Sequence, residues 1–162
     1  VNSLSITAPN TAFEIETFIR QGQAGVRGYQ EVFANERYQV LRTGAKVQQL
    51  YSTNTHAFKY IWEGRLGRSK DDFGALGGRP VAGGGVRLVL PPQQGQERPD
   101  AIEIRIESYF KEPSKVFVET GLTHPQPMMM DRQAGFGLEG ILKKLDGYAS
   151  NEVWQFLSGG QG

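Results

Sequence analysis

Met128, Met129 and Met130 are the only methionines of the chain, and His124, just upstream, is one of its two histidines. They share the stretch THPQPMMMDRQ, residues 123–133. Thioether sulfur and imidazole nitrogen are soft ligands that suit Cu(I). The spacing argues against an ion. Side chains on an extended backbone alternate in direction, so three consecutive methionines do not converge on one metal, and a site needs a closed ligand set. Methionine is also an adaptable filler of core gaps and of binding surfaces. The stretch is therefore expected to plug a gap between a hairpin and a helix, or else to form an exposed docking patch. Neither a metal nor another cofactor is expected.

A second set of residues has phosphate-binding chemistry. Arg65, Arg68, Lys70 and Arg79, with Arg87 after them, lie in or beside a segment carrying eight glycines between 64 and 85. Backbone N–H groups of a basic, glycine-rich loop can cradle an anion. GRLGRSK is not the nucleotide-binding G-x-x-x-x-G-K-[ST] pattern, however, and GGRPVAGGG is not a dinucleotide fingerprint. A long mobile surface loop is the plainer expectation. Trp62 and Tyr60 precede it and could stack on bases, although such aromatics more often serve a core or a sheet face. With 18 basic and 17 acidic residues the net charge is +1. No overall field favours nucleic acid, which is not expected as a partner.

Hydrolytic chemistry has little to work with. Only His56 and His124 can act as imidazole bases, and no G-x-S-x-G stretch accompanies them. Carboxylate pairs are available in Glu14/Glu16, Glu31/Glu36 and Glu103/Glu107, and same-face carboxylates two or four apart on a strand usually belong to a solvated face. No H-x-H, H-x-x-E-H or H-E-x-x-H pattern is present. With no cysteine, disulfides, thiol nucleophiles and thiolate metal sites are excluded.

The elements that would position these residues are unevenly legible. Residues 3–8, SLSITA, suit a short strand or an extended arm. Residues 11–22 fit two patterns. Thr11 and Glu14 can form a capping box before a helix, while Phe13, Ile15, Thr17 and Ile19 alternate as in a strand, which their residue types favour. Residues 37–64 read as a meander of two or three antiparallel strands, with turns at Thr43-Gly44 and at residues 52–54. A helical face through Val40, Gly44, Val47 and Tyr51 is the competing pattern. VRLVL, residues 86–90, is a short strand closed by Pro91-Pro92. The sharpest signal is AIEIRIESYF. Ile102, Ile104, Ile106 and Phe110 point one way, and Glu103, Arg105 and Glu107 the other. KVFVETGL then returns as the second strand of a hairpin. Leu138, Ile141, Leu142, Leu145 and Tyr148 recur at helix spacing. Gly147 would end or bend that helix, and Ser150 or Asn151 would cap a last turn.

This pattern predicts an α+β fold: a mostly antiparallel, curved β-sheet with one face covered by a C-terminal α-helix. Residues 1–158 would form a single domain with a long loop at about 64–85, and 159–162 a flexible tail. No apolar run of about 18 residues is present, so no membrane span is expected. VNSLSITAPN lacks a basic region followed by an apolar one, so no signal peptide is expected.

The expected role is a non-enzymatic binding or interaction module. Trp62, His124, Met128, Met129 and Met130 would supply the contact surface, and a protein partner, a second copy or a small apolar ligand the occupant. A cup between sheet and helix is one form this could take, although a close-packed core is the simpler expectation. The alternatives are an anion or nucleic-acid binder using Arg65, Arg68, Lys70 and Arg79, an enzyme whose site is assembled from scattered carboxylates and His124, and an oligomeric structural component with an unpaired strand edge, for which SLSITA is the first candidate.

Overall fold

The computed structural model describes residues 3–8, 14–33, 39–95, 99–129 and 137–159. The fold is the α+β arrangement that the sequence predicts. Its centre is a four-stranded antiparallel sheet with strand order β2-β5-β4-β3. β2 spans Thr43–Ser52, β3 Gly85–Leu90, β4 Ala101–Ser108 and β5 Lys115–His124. Two short strands, β1 (Gln39–Val40) and β6 (Met128–Met129), pair with each other beyond the β2–β5 ribbon.

The β4–β5 hairpin follows its alternation closely. Ile104, Ile106, Val116, Val118 and Leu122 are buried on one face. Glu103, Arg105, Glu107 and Glu119 lie on the other, in register across the strands. Phe110 departs from the pattern. The strand stops at Ser108, and Phe110 is exposed in the turn beyond it.

Of residues 11–22, where a strand is preferred, 11–13 lie outside the described residues and 15–22 are helix instead. α1 spans Ile15–Val32, and Ile19, Gly22 and Val26 form its buried stripe at helical spacing. The strand-like alternation lasts only through Ile19, whereas the helical stripe continues for two more turns. Glu14 is the N-cap rather than the third helical residue, and Thr11 lies outside the described residues. Two glycines let α1 pack closely. A Cβ at Gly22 would stand 2.8 Å from Leu138 Cδ2, and one at Gly25 would stand 2.8 Å from Ile6 Cδ1. Ile6 belongs to residues 3–8, which form no strand.

The meander also needs correction. β1 and β2 do not pair with each other, and Thr43 and Gly44 lie within β2 rather than in a turn. Residues 57–65 are helical, as α2 (Ala57–Lys59) continuing into a π-helical turn (Tyr60–Arg65). Their residue types favour a strand, but three i,i+4 pairs decide otherwise. Ala57 and Ile61 are both buried. Phe58 and Trp62 stack at 6.0 Å, and Lys59 reaches Glu63 at 3.8 Å. His56 caps the turn, its Nδ1 accepting from the Phe58 N–H.

The glycine-rich segment is not a structureless loop. Lys70–Leu76 forms a 3-10 helix closed by a capping box between Ser69 and Asp72. The C-terminal helix covers the sheet as predicted, without a break at Gly147. α3 (Leu138–Tyr148) runs through a π turn (Ala149–Val153) into α4 (Trp154–Ser158), and neither Ser150 nor Asn151 caps it. Leu145, Ala149, Val153 and Leu157 are buried at successive intervals of four. An ideal helix would carry that stripe around its axis, and the wider π turn keeps it facing the sheet. Among the described residues, no helix is long and apolar enough to cross a membrane.

Candidate functional site

Among the described side chains, the predicted contact residues Trp62, His124 and Met129 do not form one surface. Trp62 belongs to an aromatic cluster with Phe58 and Phe73, whose ring centres lie 6.0 and 4.8 Å from its own. Its indole N–H donates to the Ser69 carbonyl oxygen at 3.1 Å. This ties the π turn to the 3-10 helix and commits the ring to local packing. Met129 is 67% exposed and fills no core gap. Met128 takes part in β6 through its backbone, and Met130 lies outside the described residues.

His124 is buried, on the helix-covered face of β5. Its Nδ1 lies 3.0 Å from Asp100 Oδ1, close but not aligned as a hydrogen-bond donor. The second carboxylate oxygen of Asp100 accepts from Lys144 of α3. The Asp100 side chain is only 3% exposed. A carboxylate so buried is costly unless paired, and here the Lys144 ammonium and the His124 imidazole, from different elements, face it. Thr43, directly opposite His124 in the ladder, has a buried hydroxyl without a hydrogen-bond partner. The arrangement places Asp beside His. The cleft of about 150 Å³ at the other end of β2 is lined by Tyr51, Asn54, Tyr60, Val116, Trp154 and Leu157. The Asp100 group thus holds β4, β5 and α3 together. Among the described residues, no group of three His, Cys, Asp or Glu is placed to hold a metal.

The basic residues scatter. Arg65 is half-buried, with its guanidinium 5.1 Å over the Tyr60 ring and against the Gly159 backbone at the end of α4. A cation at a helix C-terminus is favourable, so Arg65 serves the helix end. Arg68 and Lys70 are exposed beside Lys59 and Glu63 in an open depression. Arg79 is exposed in the segment leading to β3.

The open face of the sheet is an alternating charge lattice. Arg87 on β3 holds Glu103 with two bonds of 2.8 and 2.7 Å. Arg105 holds Glu107 in the same way at 2.6 and 2.8 Å. Lys46 and Gln48 on β2 both donate to Glu119, at 2.9 and 2.7 Å. Hydrogen bonding by Arg87 lowers the Glu103 pKa, and the Gln48 amide followed by Lys46 lowers that of Glu119. These charges already have partners, so the face is poorly suited to capture a further ion.

The sheet's two edges are different. Among the described residues, neither β2 nor β3 has a strand on its outer side. The apolar layer thins towards both. The core-facing residues of β4 and β5 are almost all buried, whereas Val86 on β3 and Ala45, Val47 and Tyr51 on β2 are half-exposed, and Leu88 and Leu90 more open still. On the opposite face Val89 is 63% exposed and Leu50 47%. Sequence reasoning placed the candidate edge in SLSITA. The residues it missed, Val89 and Leu50, sit in recognisable strands, but the strand order that leaves them outermost is not written in any local pattern.

Comparison with protein-family models, curated proteins and solved structures gives no match.

Proposed function

We propose that this protein is a non-enzymatic protein-interaction module whose contact element is the outer edge of β3, which takes up an extended strand. The observation that carries this reading is Val89, an apolar residue left 63% exposed near the C-terminal end of a strand that is outermost among the described residues, flanked by Leu88 and Leu90. A bare edge of β-branched and apolar residues is a template for another chain, and proteins that do not use such an edge blunt it. Strand addition draws affinity from main-chain hydrogen bonds and specificity from alternate side chains. The phase of the β3–β4 ladder supplies the outward groups. The Ser108 N–H donates to the Gly84 carbonyl, so residues 84, 86, 88 and 90 direct their backbone groups inward and 85, 87 and 89 direct theirs outward.

A photoreactive residue placed at Val89 in the cell that makes the protein tests the reading. Covalent adducts to a protein chain are expected from position 89, and none from the exposed turn position Lys111. Absence of adducts at 89 would contradict the proposal.

A further inference from the structure

The occupant of the β3 edge can be argued from the sheet itself. Strand direction alternates through β2, β5, β4 and β3, because every pairing is antiparallel. A second copy in the same orientation would bring its β2 beside β3 running the opposite way. The joined sheet would remain antiparallel throughout, with the helices of both copies on one face.

Backbone phase agrees with this. The Thr53 N–H donates to the Ser114 carbonyl, which continues the β2–β5 ladder. Residues 43, 45, 47, 49 and 51 therefore direct their backbone groups towards β5, and 44, 46, 48, 50 and 52 direct theirs outward. At both edges the outward groups belong to residues whose side chains lie on the open face. Opposed residues in a ladder share a face, so the two edges match without flipping either copy.

Side chains select the register. Setting Val89 opposite Leu50 covers the exposed apolar residue of each edge with that of the other. Arg87 then faces Ser52, and Leu88 faces Tyr51. Tyr51 packs on Trp154 at 5.0 Å and lines the cleft of about 150 Å³. A register that sets Arg87 opposite Lys46 would oppose like charges, which is unfavourable.

Resting on the reading of β3 as a contact edge, we infer that its occupant is the β2 edge of a second copy of this chain, with Val89 paired to Leu50. The two surfaces differ, so the contact is head-to-tail. It generates a closed ring if the rotation between copies closes and a filament if it does not.

The chain has no cysteine, so introduced thiols are unique. Within one copy β2 and β3 lie three strand spacings apart, roughly 14 Å, and a short thiol-bridging reagent cannot join them. Purified V89C and L50C proteins are treated separately and as an equimolar mixture. The inference expects bridged dimers only in the mixture, each holding one chain of each kind. Bridging of V89C to itself would overturn the inference in favour of a two-fold β3–β3 contact, and would leave β3 as the contact edge. No bridging in any sample would overturn the second copy as occupant. The cellular adducts at position 89 then decide separately whether β3 binds another protein.

Discussion

Asp100 Oδ1 lies 3.0 Å from His124 Nδ1, which joins the start of β4 to the end of β5 under α3. Lys144 of α3 donates to the other oxygen of the same carboxylate. Asp100→Asn leaves both partners facing a neutral group. The expected loss is about 2–3 kcal/mol, at or below the low end of the range for buried pairs because half-exposed Lys144 can turn to water. Urea unfolding would show the loss, and a thermal melt would show a fall in Tm of roughly 4–12 °C. Lys144→Met is expected to cost at least as much, since it removes the ammonium that faces the buried Asp100 carboxylate.

Backbone phase in β3 predicts opposite results from neighbouring prolines. The Leu88 N–H points into the β3–β4 ladder, so Leu88→Pro is expected to cost on the order of 3 kcal/mol. The Val89 N–H points outward, where an edge strand tolerates proline. Val89→Pro is expected to cost about 1 kcal/mol or less in stability while abolishing concentration-dependent association. Unfolding curves and sedimentation of the two variants check both parts.

Close packing of α1 makes its glycines unequal. A Cβ at Gly22 meets Leu138 at 2.8 Å, whereas one at Gly28 meets nothing within 4 Å. Gly28→Ala is expected to stabilise the protein by about 0.5–1 kcal/mol through helix propensity alone. Gly22→Ala is expected to destabilise by about 1 kcal/mol, because the overpacking at Leu138 exceeds that gain. Thermal melts of the two variants should shift in opposite directions.

The charge lattice sets an acid limb. Glu103 and Glu119 titrate below the ordinary carboxylate range in the folded chain. Their contribution is therefore complete above the ordinary value of about 4.3. It is lost as pH falls through the depressed folded values. Glu119→Gln should flatten the stability profile below about pH 4 and cost less than about 1 kcal/mol at pH 7, as expected for a surface pair. Chemical denaturation at a series of pH values measures both.

The sequence carried the parts of this fold that local periodicity can encode. The alternation of Ile102, Ile104 and Ile106 and the stripe of Ile141, Leu142 and Leu145 identified a hairpin and the helix that covers it. Residues 57–65 were misread because Tyr60, Ile61 and Trp62 favour strands one by one. The helix there is decided by where Ala57 and Ile61 can be buried together. The polar cluster was out of reach for a related reason. Asp100 and His124 are far apart in sequence and meet only through the β4–β5 register, in which Ala101 opposes Thr123. The edges were harder still. VRLVL reads equally well as a central strand, and only the order of strands in the finished sheet leaves Val89 on an outermost strand among the described residues.

The most direct test of the assembly account is amide hydrogen exchange along β3 at increasing protein concentration. The amides of Val86, Leu88 and Leu90, which point into the β4 ladder, should be protected at every concentration. Those of Arg87 and Val89 should exchange freely in dilute solution and gain protection as copies dock. If Arg87 and Val89 exchange freely at all concentrations, β3 is not completed by this protein's own chain.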